Sequence, residues 1–366
     1  MDDLPKSAPV VVDSSPLKKE RPQKTAVLIA LLVFALIIIL AGGTYWYLIG
    51  SKKGETAQSA KWCSGVKIVF FAGGNQDDSF ASVVYNGAKE AQSDLGPDVE
   101  YVWSNWDSNK MVTQFINAIA ENPDAIAVMG HPGSAALGPL VDEAERKNII
   151  ITSQNVDITD IRTKYIAQGF GYVGQQLYDA GLTVSDGVLR KYQLDKGTEA
   201  VVFGVASSDP ARYQRTKGII DGLTKGGLAV HEVTIPVAVQ ADTTTPQAEK
   251  MVSDALAKYP KTKVIISDHG ALTSEMPAHL KDLGKNPGEI ISAGFDLSPA
   301  TVAGIKNGYI GLILDQQPYL QGYFPILQAC LTKKYKFSGL NIDTGVGLID
   351  SSNVDVVAAL ADKKIR

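Results

Sequence analysis

From Val66 onward, short apolar runs alternate with segments whose apolar residues fall three and four apart. Val66–Phe71 is one such run, and it stops at Ala72-Gly73-Gly74-Asn75. Phe80, Val83, Val84, Gly87, Ala88 and Ala91 then recur at helical spacing. The change of period reads as a buried strand followed by a helix. Strands at Val99–Trp103, Ala125–Met129 and Ile149–Thr152 alternate with helices from Met111 to Ala120 and Leu137 to Ala144. The pattern begins again with a strand at Tyr165–Ala167, a helix over Val173–Tyr192 and a strand at Ala200–Val205. A helix over Arg212–Leu223, a strand at His231–Ile235, a helix over Pro246–Tyr259 and a strand at Val264–Ser267 follow. Ile291–Gly322 adds two more strands, ending in Gly294-Phe295-Asp296 and Asp315-Gln316-Gln317-Pro318. Such alternation calls for βαβ units on parallel sheets. Two successive sets predict an α/β protein of two doubly wound lobes, with a ligand in the cleft between them at the carboxyl ends of the strands.

The 366 residues suffice for two lobes, each with its own core. Upstream, Thr25–Gly50 carries no charge. As a helix it would extend about 39 Å, more than the ~30 Å hydrocarbon core of a bilayer. Tyr45, Trp46 and Tyr47 cluster at its far end, as interfacial aromatics do. Lys18, Lys19, Arg21 and Lys24 precede the span; Lys52, Lys53 and Lys61 follow it. The sequence therefore predicts a disordered cytoplasmic tail over 1–24, a transmembrane anchor over 25–50, a linker over 51–63 and an external globular part. The competing reading is a signal peptide cleaved near Ala41-Gly42-Gly43, which would release that part.

Of 35 Lys/Arg and 39 Asp/Glu, residues 1–61 hold 8 and 5, which leaves the globular part at −7. An acidic surface without a basic stripe argues against nucleic acid as a partner. Cys63 and Cys330 have neither C-x-x-C spacing nor a nearby His pair, so zinc and redox motifs are not indicated. They read as two buried thiols or as a disulfide of an extracytoplasmic domain.

Gly169-Phe170-Gly171-Tyr172-Val173-Gly174 matches G-x-G-x-x-G, but Phe170 and Tyr172 would crowd a pyrophosphate. The stretch reads instead as a Gly-rich lobe crossing. No nucleophile elbow, zinc helix or phosphate loop is present, and His131, His231, His269 and His279 lack metal-ligand spacing. His131 and His269 each follow a strand end and could face a cleft. No nucleophile–base pair stands out, so binding is expected rather than catalysis, without cofactor or metal. Polar residues gather at strand ends instead, with aromatics among them. Asp77, Asp78 and Phe80 follow the first strand, and Trp103 and Trp106 close the second. Gln154, Asn155 and Asp157 follow the fourth; Ser208, Asp209 and Arg212 follow the apolar strand of the second set. Asp268, His269, Asp296 and Gln316 complete the group. Carboxylates, amides and guanidinium satisfy sugar hydroxyls, and aromatic rings cover the C–H faces of a sugar ring.

On these residues the chain resembles the type I periplasmic sugar-binding proteins, the ribose/galactose-binding family of ABC transporter receptors, over roughly residues 66–350. Asp78-Ser79-Phe80-Ala81 ahead of Tyr85-Asn86-Gly87-Ala88 is similar to the family's opening pattern and implies Phe80 as a stacking residue. Pro210-Ala211-Arg212-Tyr213-Gln214-Arg215 is similar to its Ala-Arg-x-Arg pattern, with one extra residue between the two Arg, and implies Arg212 as a hydroxyl clamp. Gly294-Phe295-Asp296 implies Asp296 as an acceptor, and Asp315-Gln316-Gln317-Pro318 implies Gln316 as a ligand contact beside a hinge. Gln154-Asn155 stands where the family usually has Asp-Arg, and Asp268-His269 where it commonly has Asn-Asp. Together with Asp78 and Trp106, these positions form the expected ligand set.

The resemblance implies three crossings between lobes, with 64–168 and 317–345 in one and 169–316 and 346–366 in the other. Cys63 and Cys330 then share a lobe, which makes a bridge between them possible. The implied function is capture of a monosaccharide or similar polyol and delivery to ABC transporter permease subunits. A sensor of the same fold coupled to a signalling protein is the alternative, and a nucleotide-using enzyme comes behind both. LacI-type repressors share the lobes, but the uncharged span stands where their DNA-binding helices would be.

Overall fold

The computed structural model describes residues 61–366 and five further positions between 33 and 43. The expected tail, nearly all of the apolar segment and most of the linker lie outside the described residues. Among the described residues no helix is long and apolar enough to cross a membrane.

Two six-stranded sheets carry the described fold. The first holds β1 (Lys67–Gly73), β2 (Asp98–Trp103), β3 (Ala125–Met129), β4 (Ile150–Gln154) and β5 (Gly171–Gly174). The second holds β6 (Glu199–Gly204), β7 (Ala229–Thr234), β8 (Thr262–Ser267), β9 (Ile291–Phe295) and β10 (Ile310–Asp315). β11 (Asn341–Asp343) joins the first sheet and β12 (Gly347–Asp350) the second. The orders are β11-β5-β4-β3-β1-β2 and β12-β10-β9-β8-β6-β7, parallel throughout except that β12 runs antiparallel to β10. β3 and β4 are buried at every position, as expected of strands covered by helices on both faces.

In each lobe, two helices pack by placing glycine against the partner's backbone. A Cβ on Gly87 of helix Ser79–Leu95 would strike the Tyr319 carbonyl, and one on Gly322 of helix Pro318–Tyr335 would strike that of Val84. In the second lobe, Gly181 of helix Leu177–Lys191 meets the Arg215 carbonyl, and Gly218 of helix Tyr213–Lys225 meets that of Tyr178. The two lobes thus share a packing device that no obvious sequence repeat announces. Only the first is stapled: Cys63, just ahead of β1, is bonded to Cys330 on the Pro318–Tyr335 helix, with Cα atoms 5.7 Å apart. Both are fully buried in that lobe's core.

Three corrections follow from the strand pairing. Tyr165–Ala167, expected as a strand, instead ends a short helix (Thr159–Tyr165) and opens a 3-10 turn. The strand is β5, over Gly171–Gly174, within the Gly-rich motif itself. Gly171 there faces the Gln328 carboxamide with no room for a side chain, while Tyr172 is fully buried. Residues 169–174 accordingly stay with the first sheet, paired to β4 and β11, and not with the second lobe. The chain leaves the first sheet after Gly174, returns between β10 and the Pro318–Tyr335 helix, and leaves again between β11 and β12.

Candidate functional site

A cleft of about 770 Å³ opens at the carboxyl ends of the strands of both sheets. It is lined by Asp78, Phe80, Trp106, Asn155, Arg212, Asp268, His269, Asp296 and Gln316, all expected from sequence. Asn75, Asn105, His131 and Arg215 line it as well.

The first lobe supplies an aromatic wall. The turn after β1 is glycine because Trp106 lies on it: a side chain on Gly73 (φ +94°) or Gly74 would enter the indole. Trp106 itself adopts φ +59°, a left-handed conformation that is costly for a bulky residue and that clusters at functional sites. Its Nε1 donates to Asp78 Oδ2 at 2.8 Å. The other oxygen of Asp78 accepts from Ala81 N at 2.7 Å and so caps the Ser79–Leu95 helix. One carboxylate therefore starts the helix that presents Phe80 and holds the indole beside it. The rings of Phe80 and Trp106 lie 5.9 Å apart, and those of Trp106 and His131 5.2 Å apart.

The second lobe supplies a charged wall. Arg215 is 8% exposed and lies 4.5 Å above the Phe295 ring. It donates to the Asp268 carbonyl at 2.9 Å and to Gln316 Oε1 at 3.5 Å. Asp268 Oδ2 accepts from Val205 N and from Thr216 Oγ1, while Oδ1 has no partner within the protein. Asp296 (φ +72°) accepts from Gln316 Nε2. Burial pushes its carboxyl up to about 6, against the pull of Arg215 and the Gln316 hydrogen bond. Burial, reinforced by Arg212 and Arg215, pushes the His269 imidazole down to about 3 and that of His131 well below its ordinary value. Each ring then offers one donor and one acceptor at neutral pH. The Nδ1 atoms of both have no partner within the protein. Arg212 is less deeply placed and reaches Gln240 Oε1 at 3.4 Å.

Amides join the three crossings at the floor of the cleft. Gln175 Nε2, on the first crossing, donates to Gln316 Oε1 on the second. Gln317 Nε2 donates to the Thr344 carbonyl on the third at 2.9 Å. Gln321 Nε2 bonds both the Gln316 carbonyl (2.9 Å) and Thr344 Oγ1 (3.2 Å). Asn155 donates to Gln321 Oε1 at 3.2 Å, which ties the first lobe's strand end to this network. Beside it, fully buried Asp315 is ion-paired to Arg366 at 2.7 Å.

Gln154 does not line the cleft. It is the last residue of β4 and fully buried, and its Nε2 donates to the Phe71 carbonyl at 3.0 Å. Side chains alternate along a strand, so only its neighbour Asn155, turned at φ +66°, faces the ligand space. Asp157 likewise turns away and pairs with Arg162 at 2.8 Å. Arg215 is the second Arg of the motif that implies Arg212 as the clamp. Its place three positions along the same helix put both on one face, and depth, which spacing does not report, separates them.

Residues 68–332 match the periplasmic binding protein domain. The xylose/arabinose-binding protein XylF of Sulfolobus acidocaldarius is 27% identical over 321 residues, covering 83% of this chain and 75% of that protein. A carbohydrate transporter protein of Acidothermus cellulolyticus, solved with myo-inositol, superposes with a TM-score of 0.70 at 23% identity, over 82% of this chain and 99% of that one. An ABC transporter solute-binding protein of Burkholderia graminis, solved with D-arabinose, superposes with a TM-score of 0.68 at 20% identity, over 80% and 97%. These superpositions concern the fold.

Proposed function

The chain belongs to the periplasmic binding protein domain family, and from that premise we propose that it captures a neutral monosaccharide or polyol in the interlobe cleft and hands it to an ABC transporter. The observation that carries this reading is the pairing of the two walls. Phe80 and Trp106 can cover one face of a sugar ring. Opposite them, Arg215, Asp268, Asp296 and the neutral His269 imidazole, with the neutral His131 ring on the aromatic side, can bond a ring of hydroxyls, each both donor and acceptor. The named ligands of the relatives, xylose, arabinose and myo-inositol, are of this class. Asp78, Asn155, Arg212, His269 and Gln316 complete the proposed contact set. Closure of the lobes around the three crossings would bring both walls onto the sugar, so ligand would shift the hinge equilibrium toward the closed state.

We further propose that Thr25–Gly50 anchors the chain in the membrane with the lobes outside, on the strength of its uncharged length and the Lys/Arg residues ahead of it. Calorimetric titration with pentoses, hexoses and inositol tests the ligand class. Saturable binding of at least one is expected, and absence of heat with all of them would overturn the reading.

A further inference from the structure

Three aromatic side chains line up in the open at the base of the first lobe, with Tyr335 in the middle. Trp62 stacks on Tyr335 at 5.9 Å, and Tyr335 meets Phe337 edge-on at 6.2 Å. They are 38%, 60% and 56% exposed. Single exposed apolar residues are ordinary, but contiguous ones mark contact surfaces. Lysines interleave with them in Lys333-Lys334-Tyr335-Lys336-Phe337, and Lys61 adjoins Trp62. Lys333 is paired to Asp124 at 2.6 Å, whereas Lys61, Lys334 and Lys336 make no ion pair among the described residues. The cluster sits at the amino ends of the strands: Cys63 N bonds the Leu95 carbonyl, Asp98 N bonds that of Val66, and Asp124 precedes β3. The cleft lies at the opposite ends. The 18-residue helix Pro318–Tyr335 runs from the second crossing to the cluster, roughly 27 Å.

We propose that this face docks the first lobe on an anionic lipid bilayer, with the three rings at the headgroup level and Lys61, Lys334 and Lys336 against lipid phosphates. The amphipathic rings of Trp62 and Tyr335 favour that depth, Phe337 adds apolar area beside them, and each lysine near an anionic surface strengthens the attraction. The sequence supports lipid as the occupant. The uncharged segment ends at Gly50, and the tether from there to Lys61 spans at most about 40 Å. Docked this way, the lobe holds its cleft about one helix length away from the lipid. The tether comes from the anchor reading above, but the docking face is argued from its own chemistry.

The test uses the full chain reconstituted in phosphatidylcholine vesicles with or without phosphatidylglycerol, with acyl chains brominated. Trp62 emission is taken as the difference between the parent and Trp62→Phe. Quenching of Trp62 in the anionic vesicles is expected. Lys336→Ala should lower the docked-to-free ratio about fivefold, and Tyr335→Ser combined with Lys334→Ala should abolish quenching while leaving sugar binding unchanged. An alkaline carbonate wash reads the anchor separately. Washed vesicles that retain the chain but leave Trp62 unquenched would overturn the docking and keep the anchor. Quenching before the wash, with loss of the chain after it, would overturn the anchor and keep the docking. Dimerisation abolished by Tyr335→Ser, without quenching, would assign the face to a second copy and overturn the proposal.

Discussion

The first lobe meets the cleft with Phe80, Trp106 and the His131 ring, whereas the second meets it with Arg212, Arg215, Asp268 and Asp296. Both walls grow from the carboxyl ends of parallel strands, and both lobes use glycine to bring a helix pair into backbone contact. The scaffold therefore does not decide the chemistry of a wall; the few residues beyond each strand end do. On the first side, Asp78 uses both oxygens to fix an indole and a helix start, and shape dominates. On the second, Asp268 Oδ1 is left without an internal partner, and hydrogen-bonding capacity dominates.

The largest break in this contrast should come from Arg215→Met. The guanidinium is buried beside Asp296, and its loss leaves that carboxylate without its compensating charge. Sugar affinity should fall about 100- to 1,000-fold in calorimetry, inside the span of roughly 30- to 5,000-fold for removing one member of a buried charged pair. Trp106→Ala should cost less, roughly 10- to 30-fold, because it removes stacking and apolar cover but no buried charge. Should Trp106→Ala prove costlier than Arg215→Met, the assignment of shape to one wall and charge to the other would be reversed.

Gln316 lies at the second crossing, bonded to Gln175 of the first crossing and to Arg215 and Asp296 of the second wall. Gln316→Ala removes the acceptor shared by Gln175 and Arg215 and the donor to Asp296. A loss of roughly tenfold in affinity is expected, together with a changed ligand-induced compaction in small-angle scattering. Gln154→Ala is its control. That side chain spends its hydrogen bond on Phe71 beneath the cleft, so stability should drop by about 1 kcal/mol in urea titration while affinity stays within twofold.

The smallest effect concerns acid stability. The folded state holds His131 and His269 below their ordinary value of 6.5. Their contribution is therefore present above pH 6.5 and is lost as pH falls toward about 3 for His269. Asp296 has the opposite sign. Its carboxyl is raised from 3.8 to about 6, so its contribution is present below pH 3.8 and is lost as pH rises through 6. Between pH 4 and 6 the two histidines of this set outweigh the one aspartate, and acidification lowers stability. Asp296→Asn removes the opposing group, so the urea midpoint should drop further between pH 7 and 4.5 than in the parent. An equal or smaller drop would mean that Asp296 is not the carboxyl raised in the fold.

The α/β alternation was legible because period and length change together at each strand–helix boundary. It failed at Tyr165–Gly174, where an apolar triplet ends a helix and the strand hides in Gly-Tyr-Val-Gly. No periodicity marks four residues held by close backbone approach. Strand ends located the cleft, since a parallel sheet puts its ligand there. That rule cannot say which of two adjacent residues faces inward, so Gln154 and Asn155 stood equal until the left-handed turn at Asn155 separated them. Nor can spacing reveal depth, which puts Arg215 rather than Arg212 under the ligand space.

The amides at the three crossings bear on how the hinge responds to its surroundings. Gln175, Gln316, Gln317 and Gln321 each carry both a donor and an acceptor, so a rotation that parts one pair leaves groups able to re-pair along the arc. The energy of opening is then spread over exchanges of similar bonds and not concentrated in one ion pair. Neutral dipoles are also little affected by screening. If the lobes close as proposed, opening and closing should be about equally easy in dilute and in strongly saline surroundings.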